Sequence, residues 1–154
     1  MLPRPSWLIP TCALPICWLI PLEHAADVGI QVSAATLEQL YERCAWGMFY
    51  ELTDLALVRP KETREIEIRA NGYESLLVEW LSELNYIHSV EHCLFCSFKV
   101  NAINENNLRA TVSGEKYNPS RHLIQNEIKA VTYHLLKVEA CLAGGWRAAV
   151  LFDV

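Results

Sequence analysis

The 154-residue sequence is 52% hydrophobic and 20% charged, which suits a single globular domain with one core and excludes an intrinsically disordered chain. Its formal net charge at pH 7 is −5. An acidic protein is poorly suited to bind nucleic-acid phosphates directly, because such binding depends on clustered lysine and arginine, but it can act on RNA through a basic protein partner.

The N-terminal segment of the sequence does not resemble part of a folded domain. Residues 1–21 contain five of the seven prolines, which interrupt any helix long enough to span a membrane, and no signal-peptide pattern is evident. Residues 11–16, TCALPI, match a translated reading frame of a common sequencing-library adaptor. We therefore interpret residues 1–17 as a non-native or disordered extension, of the kind that sequence assembly produces, and residues 18–154 as the domain.

The first part of the domain predicts two strands followed by a helix. Residues 18–22 form a short apolar run, which Pro21 confines to an edge or an end of a sheet. In residues 28–33 apolar side chains alternate with small or polar ones, which is the period of a half-buried strand. Thr36 is a favourable helix N-cap. The apolar positions of the helix that follows have three-four spacing and are Leu37, Leu40, Tyr41, Cys44, Ala45, Met48 and Phe49.

A third strand and a second helix follow the connection at residues 53–63. Residues 64–69 alternate strictly, with Ile66 and Ile68 on the inward face. Asn71-Gly72 then predicts a turn. The apolar face of the second helix comprises Leu76, Leu77, Trp80, Leu81, Leu84 and Ile87.

The rest of the domain predicts strands joined by hairpins. The predicted strands are residues 94–103, 108–115, 129–140 and 146–152, with turns at residues 104–107 and 143–145. Two helices among six or seven strands predict an α+β fold in two layers, with both helices packed on one face of a mainly antiparallel sheet.

The cysteines do not suggest a disulfide framework. There are six, at irregular spacing, and a domain of this size needs no disulfides for stability. Cys93 and Cys96 form a lone CxxC motif, whereas a zinc site would require a second pair. We interpret the cysteines as buried reduced thiols, with a metal or redox role as the alternative.

Polar residues at the predicted strand ends are the candidates for a functional site. The sequence contains no phosphate-binding loop, dinucleotide fingerprint, nucleophile elbow or zincin motif. Lys129 and His134 fall in one predicted strand at an odd separation, which predicts opposite faces. His88, His92 and His122 are interpreted as surface or loop residues. The candidates at strand ends are His24, Asp27, Glu127, Lys129, His134, Asp153 and the carboxylate of Val154.

The distribution of aspartate suggests a cation site. Only three aspartates occur, and Asp27 and Asp153 lie near the two ends of the domain. The Asp153 side chain and the Val154 carboxylate are adjacent, and clustered carboxylates repel unless a cation or a proton lies between them. With Asp27 they offer oxygen ligands of the kind that Ca²⁺, Mg²⁺ or Mn²⁺ prefers over zinc. The alternative is that Asp27 caps a turn, Asp153 is a solvated acid and His24 is a packed or capping histidine.

Four sequence blocks resemble the archease family. Residues 24–29, HAADVG, are similar to the H-T-A-D-V-G motif of that family, and residues 77–84, 127–134 and 152–154 match further blocks in the same order. The resemblance extends from about residue 18 to residue 154. Two departures are visible: Ala25 replaces a usual Thr or Ser, and Asn118 replaces a typical Asp. The first could weaken the support of neighbouring metal ligands.

The resemblance implies a cytoplasmic accessory protein of the RtcB-type RNA ligase in tRNA splicing and RNA repair, and not an enzyme. Such a protein promotes loading of the ligase with GMP and helps the ligase turn over repeatedly. It contacts RNA only through the ligase, and it does not bind a membrane. The family binds a divalent cation, assigned as calcium, through positions that correspond to Asp27, Asp153 and Val154. The implied fold is a compact two-layer α+β domain built from strand-helix-strand-strand units.

We expect Asp27, Asp153 and the cation to organise the metal or guanylate of the ligase, with Lys129, His134 and His24 as candidate contacts. Lys129 could equally be an ordinary surface lysine. One alternative is a small metal-dependent hydrolase, which would need a general base and a substrate pocket. Another is a chaperone module that binds RNA directly, which the acidic charge disfavours.

Overall fold

The computed structural model describes residues 18–24 and 27–154, with the backbone alone described for Glu23 and His24. The expected extension at residues 1–17 lies outside the described residues. In chain order the elements are β1 (Leu19–His24), β2 (Asp27–Ala34), α1 (Leu37–Leu52), a short 3₁₀ turn (Leu55–Leu57), β3 (Glu62–Arg69), α2 (Tyr73–Glu91), β4 (Cys93–Ile103), β5 (Asn107–Lys116), β6 (Ala130–Ala140) and β7 (Trp146–Asp153).

The strands form two antiparallel sheets, with strand orders β1-β2-β7-β6 and β3-β5-β4. Each helix contacts both sheets: α1 packs on β2 and β4, and α2 packs on β6 and on all three strands of the smaller sheet. The predicted α+β fold with two helices is therefore confirmed, and the structure adds that the strands divide between two sheets. No helix in the described part of the chain is long and apolar enough to cross a membrane.

Helix α1 begins where the sequence predicts and buries the predicted face. The Thr36 hydroxyl accepts a hydrogen bond from the Gln39 N–H, and the Gln39 side chain accepts one from the Ala35 N–H, which satisfies two donors at the helix start. Two further bonds join the helices, from the Trp80 indole N–H to the Tyr41 carbonyl and from the Tyr41 hydroxyl to the Tyr73 carbonyl. The two helices are therefore connected by specific hydrogen bonds as well as by apolar packing.

The pairing of β2 with β7 is fixed by a glycine. A Cβ atom at Gly29 would lie 2.7 Å from the Val150 carbonyl oxygen, so only glycine allows the two backbones to approach so closely. At the far end of β7 the predicted turn is present, with positive φ angles at Gly144 and Gly145. These two constraints set the register in which Asp27 and Asp153 are direct partners.

Strand β6 is irregular, and one prediction about it is wrong. Its register against β7 breaks between Thr132 and Lys137, and Leu135 within the break has a φ of +56°, a conformation rare for residues other than glycine. Lys129 precedes the strand and His134 lies inside the break. The odd separation of Lys129 and His134 therefore does not place them on opposite faces of one regular strand, because that rule requires an unbroken pleat.

Candidate functional site

Asp27 and Asp153 meet at one end of the larger sheet. Strand β2 begins at Asp27 and β7 ends at Asp153, and the two residues are Cα partners in the antiparallel ladder. Directly opposite residues place their side chains on the same face, with Cβ atoms about 4.5–5.5 Å apart. The structure thus brings together two of the three predicted cation ligands. We call Asp27, Asp153 and Val154 the carboxylate tip.

The two aspartates of the carboxylate tip have no partner within the fold. Both are half-buried, and neither side chain makes a hydrogen bond or an ion pair with another residue of the described ranges. Like charges directly opposite each other on adjacent strands are destabilising. This arrangement therefore costs stability unless a proton or a cation lies between the carboxylates.

Neighbouring main-chain contacts hold Asp153 in place. The Lys129 N–H donates to the Asp153 carbonyl over 2.7 Å, and one residue earlier the Ile128 carbonyl accepts from the buried Asn85 side chain over 2.9 Å. Val154 is half-buried and packs against the core. The Lys129 side chain is exposed beside the carboxylate tip.

The other candidate contacts from the sequence are His24 and His134. The backbone of His24 pairs with that of Asp27 across β1 and β2, and its side chain, like Ala25, lies outside the described residues. His134 is exposed in the irregular part of β6, where pairing with β7 is interrupted.

The carboxylate tip has the donor chemistry of a hard divalent cation. Carboxylate oxygens suit Ca²⁺, Mg²⁺ or Mn²⁺, and the two aspartates are direct partners across adjacent strands. Among the side chains that the structure describes, which exclude those of residues 23–26, no group of three or more His, Cys, Asp or Glu could hold a metal ion. Asp27 and Asp153 are two of the three ligands expected from the sequence, and the third is the carboxylate of Val154.

A buried glutamate surrounded by three basic residues was not predicted from the sequence. Glu115 is 5% exposed and accepts from the Arg59 N–H, from the Arg121 guanidinium and from His122 Nε2. Burial by itself would raise the pKa of Glu115, but the hydrogen bonds from Arg121, Arg59 and His122 outweigh it and lower that pKa to about 2. We call Glu115, Arg59, Arg121 and His122 the Glu115 cluster.

The interpretation of three histidines as surface or loop residues is wrong for His88, which is buried within α2, and holds for His122, which lies in the loop between β5 and β6 although its ring is buried. His88 is 6% exposed and His122 is 4% exposed, whereas His92 is exposed at the end of α2. Each buried ring has hydrogen-bond partners: His122 contacts Glu115 and the Asn118 N–H, and His88 contacts the Cys93 carbonyl. Burial of these polar rings is tolerated because those partners replace water.

The described cysteines are free thiols. Cys44 and Cys93 are buried, and Cys96 and Cys141 are half-buried. Burial raises the pKa of the Cys96 thiol to about 11, so the thiolate that metal binding or redox chemistry requires is disfavoured at neutral pH.

The fold and the paired aspartates define an archease-type domain. Residues 21–154 match the archease protein family, and the chain belongs to that family. Protein archease of Methanosarcina mazei is 41% identical over 137 residues, which are 86% of this chain and 93% of that protein. Protein archease of Thermococcus kodakarensis is 37% identical over 135 residues, with 86% and 95% of the two chains covered.

Solved structures agree with this assignment. The solution structure of Methanobacterium thermoautotrophicum protein 1598 is similar with a TM-score of 0.75 and 32% identity, and the match covers 89% of this chain and 99% of that one. The crystal structure of an archease from Thermotoga maritima, described as a possible chaperone, has a TM-score of 0.61 and 24% identity over 88% and 96% of the two chains. The second match shows the fold alone.

Proposed function

We propose that this protein is a cytoplasmic accessory factor of an RtcB-type RNA ligase, which promotes guanylylation and repeated turnover of the ligase without joining RNA itself. Membership of the archease family supports the accessory role. The observation that carries the proposal is the in-register pairing of Asp27 with Asp153, two half-buried acids without a partner in the described fold. A protein retains such a pair at a cost in stability, which a role in binding explains.

The proposed cation ligands are Asp27, Asp153 and the Val154 carboxylate, with Ca²⁺ as the first choice and Mg²⁺ or Mn²⁺ as alternatives. When bound, the cation supplies a positive charge that can contact phosphate or carboxylate groups of the ligase and its nucleotide. The protein itself positions the proposed ligands. The backbones of β2 and β7 approach closely at Gly29, and the Lys129 N–H donates a hydrogen bond to the Asp153 carbonyl.

The charge of the protein suits this role. A net charge of −5 favours approach to a basic, nucleotide-binding cleft of a ligase, and it disfavours direct binding to RNA. The Lys129 side chain is exposed beside the carboxylate tip and is the proposed contact to phosphate. Neither the hydrolase alternative nor direct RNA binding is favoured by a contact among the described residues.

The test is guanylylation of a purified RtcB-type ligase with labelled GTP, in the presence of the wild-type protein, Asp27→Asn or Asp153→Asn. Glu79→Gln is the matched control, because it removes one negative charge from an exposed position on α2. We expect the wild type and the control to stimulate the ligase equally and both aspartate variants to lose most of the stimulation. Equal stimulation by all four proteins would rule out the carboxylate tip, and no stimulation by the wild type would rule out the accessory role.

A further inference from the structure

A cavity lies at the C-terminal end of α2. Its volume is about 360 Å³, and its lining residues are His88, Ser89, His92, Tyr117, Ile124 and Glu127. Neither Asp27 nor Asp153 lines this cavity, so it is distinct from the carboxylate tip. The inference below is independent of the proposed function.

The ring of His88 directs a hydrogen-bond acceptor into this cavity. Its Nδ1 atom lies 3.1 Å from the Cys93 carbonyl oxygen, and because a carbonyl can only accept, Nδ1 carries the hydrogen. In the neutral ring Nε2 is then an acceptor. Nε2 lies 4.0 Å from the Glu127 carboxylate, which is too long for a hydrogen bond, and the His88 side chain is only 7% exposed. A nearly buried acceptor therefore faces a carboxylate with no donor of the described fold between them.

The surroundings of this acceptor pair favour positive charge. The C-terminal end of a helix carries a partial negative charge, and α2 ends at Glu91 beside the cavity. Two basic side chains near this end are already bonded to Glu91, since the Lys116 ammonium contacts its carbonyl and Arg64 contacts its carboxylate. Glu127 forms no ion pair with a lysine or arginine of the described residues, and its basic neighbour is the ring of His88. With the His88 ring neutral, the cavity retains a carboxylate without a cationic partner.

The dimensions of the site fit a cationic nitrogen. A single nitrogen about 2.9 Å from each of two acceptors spans the separation of His88 Nε2 and Glu127, which is 4.0 Å. The aromatic ring of Tyr117 and the apolar side chain of Ile124 line the same cavity, and they provide a cation–π surface and a contact for an alkyl chain. The site combines acceptors for the charged head of a ligand with apolar surface for its stem.

We propose that this cavity binds an alkyl guanidinium or alkyl ammonium group. The group has two sources, a free small cation or a Lys or Arg side chain of a protein partner, and the chemistry of recognition is the same for both. Its N–H groups donate to His88 Nε2 and to the Glu127 carboxylate, and its alkyl chain packs on Ile124.

The experiment is an NMR titration of the whole protein with butylguanidinium and, in parallel, with butylurea, a neutral analogue of nearly the same shape. Glu127→Gln removes the charge from an exposed side chain without loss of a core contact, and Glu83→Gln is the matched control on the exposed face of α2. His88→Asn is a further variant, because the asparagine amide can still donate to the Cys93 carbonyl while the Nε2 acceptor is removed.

We expect saturable shifts around His88 and Glu127 with butylguanidinium and none with butylurea. Glu127→Gln should weaken binding about 1.4- to fivefold, the usual range for an exposed ion pair, and Glu83→Gln should leave it unchanged. Saturation below millimolar concentration would indicate a free small cation, and millimolar binding would indicate a group delivered on a protein side chain. Equal binding of the neutral analogue, no binding of either ligand, or ¹⁵N shifts that show His88 protonated on both nitrogens at neutral pH would overturn the proposal.

Discussion

The carboxylate tip and the Glu115 cluster are two regions whose carboxylates differ in their hydrogen-bond partners. Glu115 is almost fully buried, and it accepts hydrogen bonds from the Arg59 N–H, the Arg121 guanidinium and His122 Nε2. Asp27 and Asp153 are half-buried and opposite each other, with no donor among the described residues. A carboxylate whose partners are all within the fold contributes to stability, whereas one without partners decreases it. The comparison indicates a structural role for the first region and supports the proposed binding role of the second.

The largest expected effect is loss of stability when Glu115 loses its charge. Glu115→Gln leaves Arg121 and His122 without their anionic partner at a buried position, and breaking such a pair costs about 3 kcal/mol or more. Urea denaturation of the wild type and Glu115→Gln should show this loss, with Glu79→Gln as the exposed control. At temperatures where Glu115→Gln is folded, its stimulation of the ligase should equal that of the wild type. A loss below about 1 kcal/mol would contradict the structural role.

The same cluster predicts a specific acid sensitivity. The pKa of Glu115 is lowered to about 2 in the folded protein, so its stabilising contribution is complete above the ordinary glutamate pKa near 4.5 and is lost as pH falls from there toward 2. At 1.36 kcal/mol per pKa unit, the contribution lost is about 3 kcal/mol. The difference in unfolding free energy between the wild type and Glu115→Gln should therefore shrink across this pH range. A constant difference would show that the carboxylate does not titrate as its hydrogen bonds require.

A smaller effect of opposite sign is expected at the carboxylate tip. Asp153→Asn removes the repulsion between directly opposite like charges and should stabilise the metal-free protein by about 0.2–1 kcal/mol. Thermal unfolding in EDTA measures this change. Added Ca²⁺ should raise the Tm of the wild type and not that of the variant, because a ligand that binds only the folded state stabilises it. Destabilisation of the metal-free variant would mean that Asp153 has a structural partner after all.

The smallest effect is expected at Asn118, where the family typically has aspartate. The Asn118 side-chain oxygen accepts from the Ser120 N–H, and aspartate can accept the same bond. The link from Asn118 to His122 uses the main-chain N–H and does not depend on the side chain. Asn118→Asp should therefore change stability by no more than about 0.5 kcal/mol in either direction, measured by urea denaturation. A larger change would show that this departure from the family pattern alters the Glu115 cluster.

The sequence predicts the local elements of this fold well because their signals are local. Helical spacing identified the buried face of each helix, and the N-cap at Thr36 is confirmed. Strand alternation identified Ile66 and Ile68 as inward-facing, and both are buried. The division of the strands between two sheets depends on pairing between distant segments, and strand alternation contains no information about it.

The two acidic regions differ in how far the sequence could predict them. The proximity of Asp27 and Asp153 was expected from strand ends and from the family motif, and the register confirms it. Glu115 was missed because it follows the buried residues Leu108, Ala110, Val112 and Gly114 at the parity that predicts an outward side chain. His122 was interpreted as a surface or loop residue, and only the folded structure shows the partners that allow the burial of its ring in a loop.

The most direct test of the contrast between the two regions is calorimetric titration of Ca²⁺ into the wild-type protein, Asp27→Asn, Asp153→Asn and Glu79→Gln. We expect one binding site in the wild type and in Glu79→Gln, and affinity weakened at least about tenfold in either aspartate variant. Unchanged affinity in Asp27→Asn and Asp153→Asn, or no binding to the wild type, would contradict the assignment of the carboxylate tip as the cation-binding region.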